Sequence, residues 1–531
     1  MVSQETQWYH IIFEGGYFMK KILSFVLALM CAMTCLSGVA MAEAPVSFSI
    51  AFPDNPTMPF TPEWLSVKES TAFANADVTW EVYPNTDYNT KLTMALSTGT
   101  APDVMLNITS QNNPYNQLAQ SGALLPINQY VDYLPNFKNY LETYGLQEEI
   151  DNIMVMLDGN YYHMPLAYSE LIVNAGMLVR TDLMEKYGIA EIKTFDDLYT
   201  FLKAHKEANP NSYPFTVYQN MTNLYNYSLP CWGLSMGAGS SSGSYVLSYD
   251  YDTKTYFSGA ITDEYKDYLG YFAKLYAEGL IDPEFAATPA DQWTNKLATG
   301  SAVASYGWDD MIGSILVNAT DENANLVMLP PLEGPKGAYW QPNSLVRSGI
   351  AISAKVLERK DWQDVLATVD KMFFAPEMLE LFAIGKEGVT FTRGEDGTIT
   401  YVDELLTAPE GLYKGLQMRY GCGLWAMSML WDKPVQMTKY SETFRETNEK
   451  AIEMNALLSL PLVPKFDEMD TEYMSILLAT LSDTFETWTN DFITGEKSLE
   501  TDWATYVAEM EAKGINTLRD LYNERLAEQF K

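Results

Sequence analysis

Histidine and cysteine are almost missing. The chain has 531 residues but only three histidines and four cysteines. Beyond residue 42 only His163, His205, Cys231 and Cys422 remain, too few for a transition-metal site built on imidazole and thiolate. Cys231 and Cys422 form one candidate disulfide pair for an oxidising compartment. There is no H-E-x-x-H, no Walker motif and no complete calcium loop; Asp250-Tyr251-Asp252 begins one but lacks its glycine and terminal glutamate. Positive charge is also scarce. Lys and Arg number 34 against 69 Asp and Glu, a formal charge of −35. Such a field repels nucleic acid and anionic membrane surfaces and keeps a protein soluble. After residue 42 no uncharged apolar run is long enough to span a bilayer. Catalytic signatures fail as well. Gly239-Ser240-Ser241-Ser242-Gly243 fits G-x-S-x-G, but strand-like residues follow it where a nucleophile elbow needs a helix. Both remaining histidines precede that serine, against the order of such hydrolases, so a flexible Gly/Ser loop is expected.

One long apolar run does occur, near the start. Met19-Lys20-Lys21 leads into an apolar stretch that ends in Ala40-Met41-Ala42. This is the pattern of a secretory signal peptide, with a mature start expected at Glu43. Ala32-Met33-Thr34-Cys35 lacks the small residue that a lipid-modified cysteine needs before it. An extracellular or cell-surface location is expected. Residues 1–18 match no targeting signal. Glu14-Gly15-Gly16 reads as a translated purine-rich ribosome-binding site, so translation is expected to start at Met19; a tryptic peptide from residues 1–18 in cell extracts would refute this. Residues 1–42 hold two acidic and two basic side chains, so the mature chain keeps the whole charge of −35.

What the chain does have is α/β rhythm. Residues 46–52 alternate apolar and polar, residues 62–73 suit a helix capped by Thr61, and residues 78–83 form a second strand. Residues 87–97 are helical, Gly99 closes the helix, and Val104-Met105-Leu106 is a buried strand. Strand, helix, strand, helix, strand at this spacing predicts a parallel sheet with right-handed crossovers. Asn107, Thr109, Ser110 and the polar residues to Asn113 follow at the strand's carboxyl end, where open α/β sheets bind ligands. A hairpin is expected around Asp158-Gly159-Asn160, and Thr194 with Asp197 makes a near-variant of the capping box. Further strands are expected at 213–218, 302–306, 325–328 and 346–353. Amphipathic helices are expected at 263–278 and 291–299, with a helical tail beyond residue 439.

Several runs carry a likeness. They are "STGTAPDV" before a polar loop and "LAQSGALLPINQYVD", then "DGNYYHMPL", "LVRTDLMEKYGI" and "KTFDDLYTFLKAHKEANP", and later "YAEGLIDPEF", "LATGSAVASYGW" and "LPPLEGPKG". Together and in this order they resemble the family-1 extracellular solute-binding proteins of ABC importers, the large branch that includes oligosaccharide receptors. The resemblance implies a two-lobed periplasmic-binding-protein-like (type II) α/β fold with a hinge. Lobe one is expected at 43–166 and 350–420, and lobe two at 167–349 and 421–531. It also implies an oligosaccharide ligand, ABC permease subunits as partners, hinge closure, no cofactor or metal, and a monomer. A secreted carbohydrate-active enzyme is the alternative; it needs a converging carboxylate pair or a Tyr/Arg/His set.

Aromatic residues make up 13% of the chain, with 12 Trp and 35 Tyr. An indole offers a broad apolar face and a donor at its edge, the complement of a sugar ring's C–H face and hydroxyl rim. Those in irregular or glycine-rich surroundings are cleft candidates: Trp232, Tyr306, Trp308, Trp340, Trp425 and Trp431. Tyr306 and Trp308 lead this group because the resembling family uses the loop after that strand. Tyr168, Asp309, Gln219 and Asn220 join them as polar candidates. Arg180 and Arg347 lie near the predicted crossings; each either pairs with a uronate carboxylate or makes a structural salt bridge.

Overall fold

The apolar strand Val104–Ile108 is covered on both faces, and it sits third from the edge of a six-stranded sheet. A computed structural model describes residues 44–529, apart from 57, 110–114, 174, 219–220, 235–244 and 341–343; the side chains at 222 and 223 also fall outside it. The leader at 19–42, residues 1–18, Ser110, Gln219, Asn220 and the Gly/Ser loop at 239–243 therefore lie outside the described residues.

The sheet runs Leu430–Trp431, Met164–Tyr168, Val346–Ile352, Val104–Ile108, Val46–Asp54, Ala76–Pro84. Val46–Asp54 pairs parallel with both of its neighbours, and Leu430–Trp431 is parallel to Met164–Tyr168. Val346–Ile352 runs antiparallel to the strands on either side of it. The carboxyl ends Ile108, Tyr168 and Trp431 thus share one edge with the start of Val346–Ile352. Helices Leu65–Ala74, Pro135–Tyr144 and Trp362–Phe374 cover the sheet around a core that includes Phe137, Leu366 and Phe373.

A second, three-stranded sheet has Ala175–Arg180 between Ala304–Trp308 and Leu326–Met328, both antiparallel to it. Around it lie Phe195–Ala208, Asp263–Ala277 and the long helix Glu468–Thr494. Tyr265 stacks on Phe485 at 5.3 Å and its hydroxyl meets that of Thr489 at 2.6 Å, which fastens this long helix to the second core. The architecture is two-lobed α/β with a helical tail, and no helix among the described residues is long and apolar enough to cross a membrane.

Thr194 caps Phe195–Ala208, and Asp197 returns the bond to complete the capping box. Gly99 has φ +68°, just past the helix Tyr88–Ser97. Other expectations change. The first helix starts at Leu65 rather than 62. Thr61 and Pro62 form a preceding turn, because Trp64 is buried and its Nε1 donates to the Met418 carbonyl at 3.0 Å; that long-range anchor decides where the chain enters the helix. Residues 213–218 are not a strand. Only Phe215 bridges, to Ile281 and Ala304, and Pro214 has no N–H to extend a ladder. The turn at Asp158-Gly159 forms, but the flanking backbone pairs elsewhere: Tyr161 O accepts from Ile127 N at 2.9 Å. Asp250 Oδ1 accepts from the N–H groups of Asp252 and Thr253, closing a short hairpin turn. Cys231 and Cys422 are both buried free thiols. Residues 421–431, read from the sequence as second lobe, pack on the first sheet instead, because Leu430–Trp431 supplies its last strand.

Candidate functional site

The shared edge of the first sheet gathers side chains from distant segments. Asn107, at the end of its strand, has φ +57°, a left-handed conformation that asparagine tolerates better than most residues. Its Oδ1 accepts the hydroxyl of Ser348 at 2.7 Å, and Ser348 Oγ accepts Trp425 Nε1–H at 3.1 Å. This relay holds the half-buried Trp425 ring. The Arg347 guanidinium lies over that ring, 5.7 Å from its centroid. His163 Nε2–H donates to the Arg347 carbonyl at 3.2 Å, and burial lowers this imidazole to about 4, so the ring is neutral at physiological pH. Tyr168 lies 6.4 Å from Trp425 and 5.5 Å from Trp431, and the two indoles are 5.4 Å apart. Beneath them Lys439 points at the rings of Tyr413 (4.8 Å) and Trp431 (5.3 Å). Burial lowers its ammonium to about 7.

The second sheet brings a strand end of its own. Trp308 ends its strand half-buried, edge-on to Tyr218 at 5.4 Å. Asp309 follows and is 8% exposed; burial, and then the charge of Asp310, raise its carboxyl to about 7. Asp310 is open to water yet densely surrounded by protein, which raises it too, while Lys414 from the first lobe lowers it. The Arg347 charge reaches Tyr168 of one lobe and Tyr227 of the other, lowering both phenols against the larger rise from burial.

Asn107, Tyr168, Arg347 and Trp425 thus come together at the first sheet's edge, where Tyr168 and Trp431 are each 3% exposed and Trp425 is the half-buried ring, while Trp308 and Asp309 end a strand of the second sheet. Thr109 is half-buried just beyond the strand. Three aromatics join neither group. Trp232 is buried among Phe195 (4.6 Å) and Tyr268 (5.3 Å) in the second core. Tyr306 is 2% exposed and packs on Phe215. Trp340 is 1% exposed; its backbone bonds Ala456 and Leu458, and Gly176 leaves the space its ring fills. Glycine-rich flanks make room for these rings inside the core as readily as in a cleft. Arg180 is a structural ion pair, bidentate to Asp182 at 2.8 Å and donating to the Leu297 carbonyl. Sequence reasoning missed Tyr413, Tyr227, Ser348 and Lys439. Nothing local distinguishes them, since each becomes relevant only through a neighbour far away in the chain.

The first-sheet group offers the half-buried Trp425 ring with the Arg347 guanidinium over it, and Tyr168 and Trp431 buried against that ring. Among the described residues no cluster of His, Cys, Asp and Glu could hold a metal ion.

Residues 67–361 match the family model of the bacterial extracellular solute-binding proteins. Lipoprotein LipO of Bacillus subtilis (strain 168) is 27% identical over 308 residues, 56% of this chain and 57% of the relative. The polygalacturonan/rhamnogalacturonan-binding protein YtcQ of the same organism is 24% identical over 348 residues, 64% of this chain and 66% of the relative. The chain thus matches between about half and two thirds of the length of these relatives. The solved structure of the Streptococcus pneumoniae ABC-transporter substrate-binding protein FusA in complex with kestose superposes with a TM-score of 0.70 at 19% identity, covering 91% of this chain and 99% of that one. At that identity the likeness is one of fold.

Proposed function

We infer, from the premise that this chain belongs to the bacterial extracellular solute-binding protein family, that it binds an oligosaccharide between its lobes and delivers it to the permease subunits of an ABC importer. The family and the matching relatives are binding proteins, not enzymes. The observation that carries the reading is the cluster of Trp425, Trp431, Tyr168 and Arg347 at the first sheet's edge, with Trp308 and Asp309 ending a strand of the second sheet.

The mechanism is closure about the crossing segments. We place the crossings after Tyr168, before Val346 and after Trp431. Ligand contacts to both walls exist together only when the lobes are shut, so ligand shifts the population towards the closed form. Closure expels water from the rings, which strengthens every polar contact to the sugar's rim. The product of binding is a shut surface for the permease to recognise, and no bond is broken. Secretion through the leader and retention outside the membrane belong to the same proposal.

A mixed panel of oligosaccharides tests it. The expected result is a saturable thermal shift for at least one glycan, a smaller radius of gyration by small-angle scattering in its presence, and full recovery of the unmodified sugar. Turnover of a glycan, or binding without compaction, refutes the mechanism.

A further inference from the structure

We propose, building on the carbohydrate reading above, that the sugar is acidic and that Arg347 receives the carboxylate of a uronate residue whose apolar face lies on Trp425. A guanidinium stays charged at any physiological pH. Arg347 is half-buried, and keeping even its Nε–H from water is unfavourable unless an acceptor meets it. Apart from solvent-exposed Arg445, every other arginine in this chain has a carboxylate within ion-pair distance. Arg347 has none among the described residues, although 69 acidic residues are available in the chain. Its Nε is buried and makes no hydrogen bond there. The internal positions outside the described set are Ser, Thr, Asn, Gln, Pro, Gly, Ala and Met only, so none of them can supply the missing charge.

The group is also held in place. The Arg347 carbonyl is tied by His163, and Trp425 is fixed by Ser348 and Asn107. The guanidinium lies 5.7 Å from the centre of that fixed ring, and a planar carboxylate accepts two parallel N–H bonds from it. The buried Trp431 Nε1–H close by is a second donor without a protein acceptor among the described residues, available to a sugar oxygen. The two arginines weighed from the sequence divide accordingly. Arg180 has its acid in Asp182, and Arg347 awaits one from outside. The relatives leave the sign of the ligand open, because YtcQ is named for acidic polymers and kestose is neutral.

Calorimetry on the whole mature chain tests this, with trimers of galacturonate, mannuronate and glucuronate, their carboxyl-reduced counterparts, a sulfated neutral trimer and kestose. At least one uronate trimer is expected to bind about 10–100-fold more tightly than its reduced form, the range for a charge-assisted hydrogen-bonded pair. Arg347→Gln is expected to abolish that preference, so that the uronate trimer binds no more tightly than its reduced form. Arg347→Lys, which keeps charge but not the fork, restores only part of it. Arg445→Gln, a general-charge control, changes nothing. If neutral trimers bind and no uronate is preferred, or if only the sulfated trimer binds, the inference is overturned while the carbohydrate reading stands. If no sugar binds at all, the carbohydrate reading fails first. A uronate preference that survives in folded Arg347→Gln also overturns the inference, and thermal melts of both Arg347 variants establish that they are folded.

Discussion

Replacing Asp309 by asparagine should stabilise the protein above neutral pH and have no effect in acid. An aspartate in the unfolded chain titrates near 3.8, whereas the folded carboxyl is raised to about 7, first by burial and then by the charge of Asp310. Below about pH 4 both states hold the proton and the group contributes nothing. As pH rises further the unfolded chain releases its proton while the folded protein retains it, so stability falls. The loss is complete by about pH 8, one unit above the folded value. Each tenfold change in proton affinity corresponds to about 1.4 kcal/mol, which puts the full cost at about 4 kcal/mol and, allowing for relaxation around the adjacent Asp310, at about 2–4 kcal/mol. Asparagine keeps the shape and removes the charge. Urea unfolding followed by tryptophan fluorescence checks this: the stability difference between variant and wild type should grow from near zero at about pH 4 to its full value at about pH 8. Parallel stability curves across that range would refute the reasoning. A raised carboxyl in a cleft also titrates where ligands bind, so sugar affinity should vary between about pH 6 and pH 8 in the wild type and less in the variant.

Trp425→Ala should weaken sugar binding by about 10–100-fold, the value of one large apolar face, while lowering stability by only about 1 kcal/mol; calorimetry and a urea melt separate the two effects. Trp340→Ala should do the reverse. It leaves a large cavity beside Gly176 and is expected to cost about 3–5 kcal/mol, with the affinity of the folded fraction unchanged. Thr194→Ala removes the side-chain half of the capping box and should cost about 1 kcal/mol, visible in the urea midpoint and absent from the binding isotherm.

Local chemistry made much of the fold legible. The capping box at Thr194 and the helix stop at Gly99 depend on residues within one turn of each other. The strand at 46 shows its apolar–polar alternation and the strand at 104 its apolar run, each within a few residues. The first helix was misplaced because Trp64 answers to the Met418 carbonyl, 354 residues away. The strand expected at 213–218 was lost to a proline whose missing N–H outweighed the flanking apolar pattern. The strand ends that carry Asn107 and Trp308 were legible too, since each follows a short apolar run.

The amino-acid sequence by itself determined the α/β alternation, the acidic character, the poverty of metal ligands and the supply of aromatic rings, because each is local or compositional. Only the tertiary structure decided which rings are covered and which stay partly open. Trp232 and Trp340 vanish into cores, while Trp425 is held at the sheet edge by Ser348 and Asn107. It likewise separated Arg180, satisfied by Asp182, from Arg347, left without an acid. Whether a side chain is covered or paired depends on partners scores to hundreds of residues away, and burial is a property of that packed neighbourhood rather than of the flanking sequence.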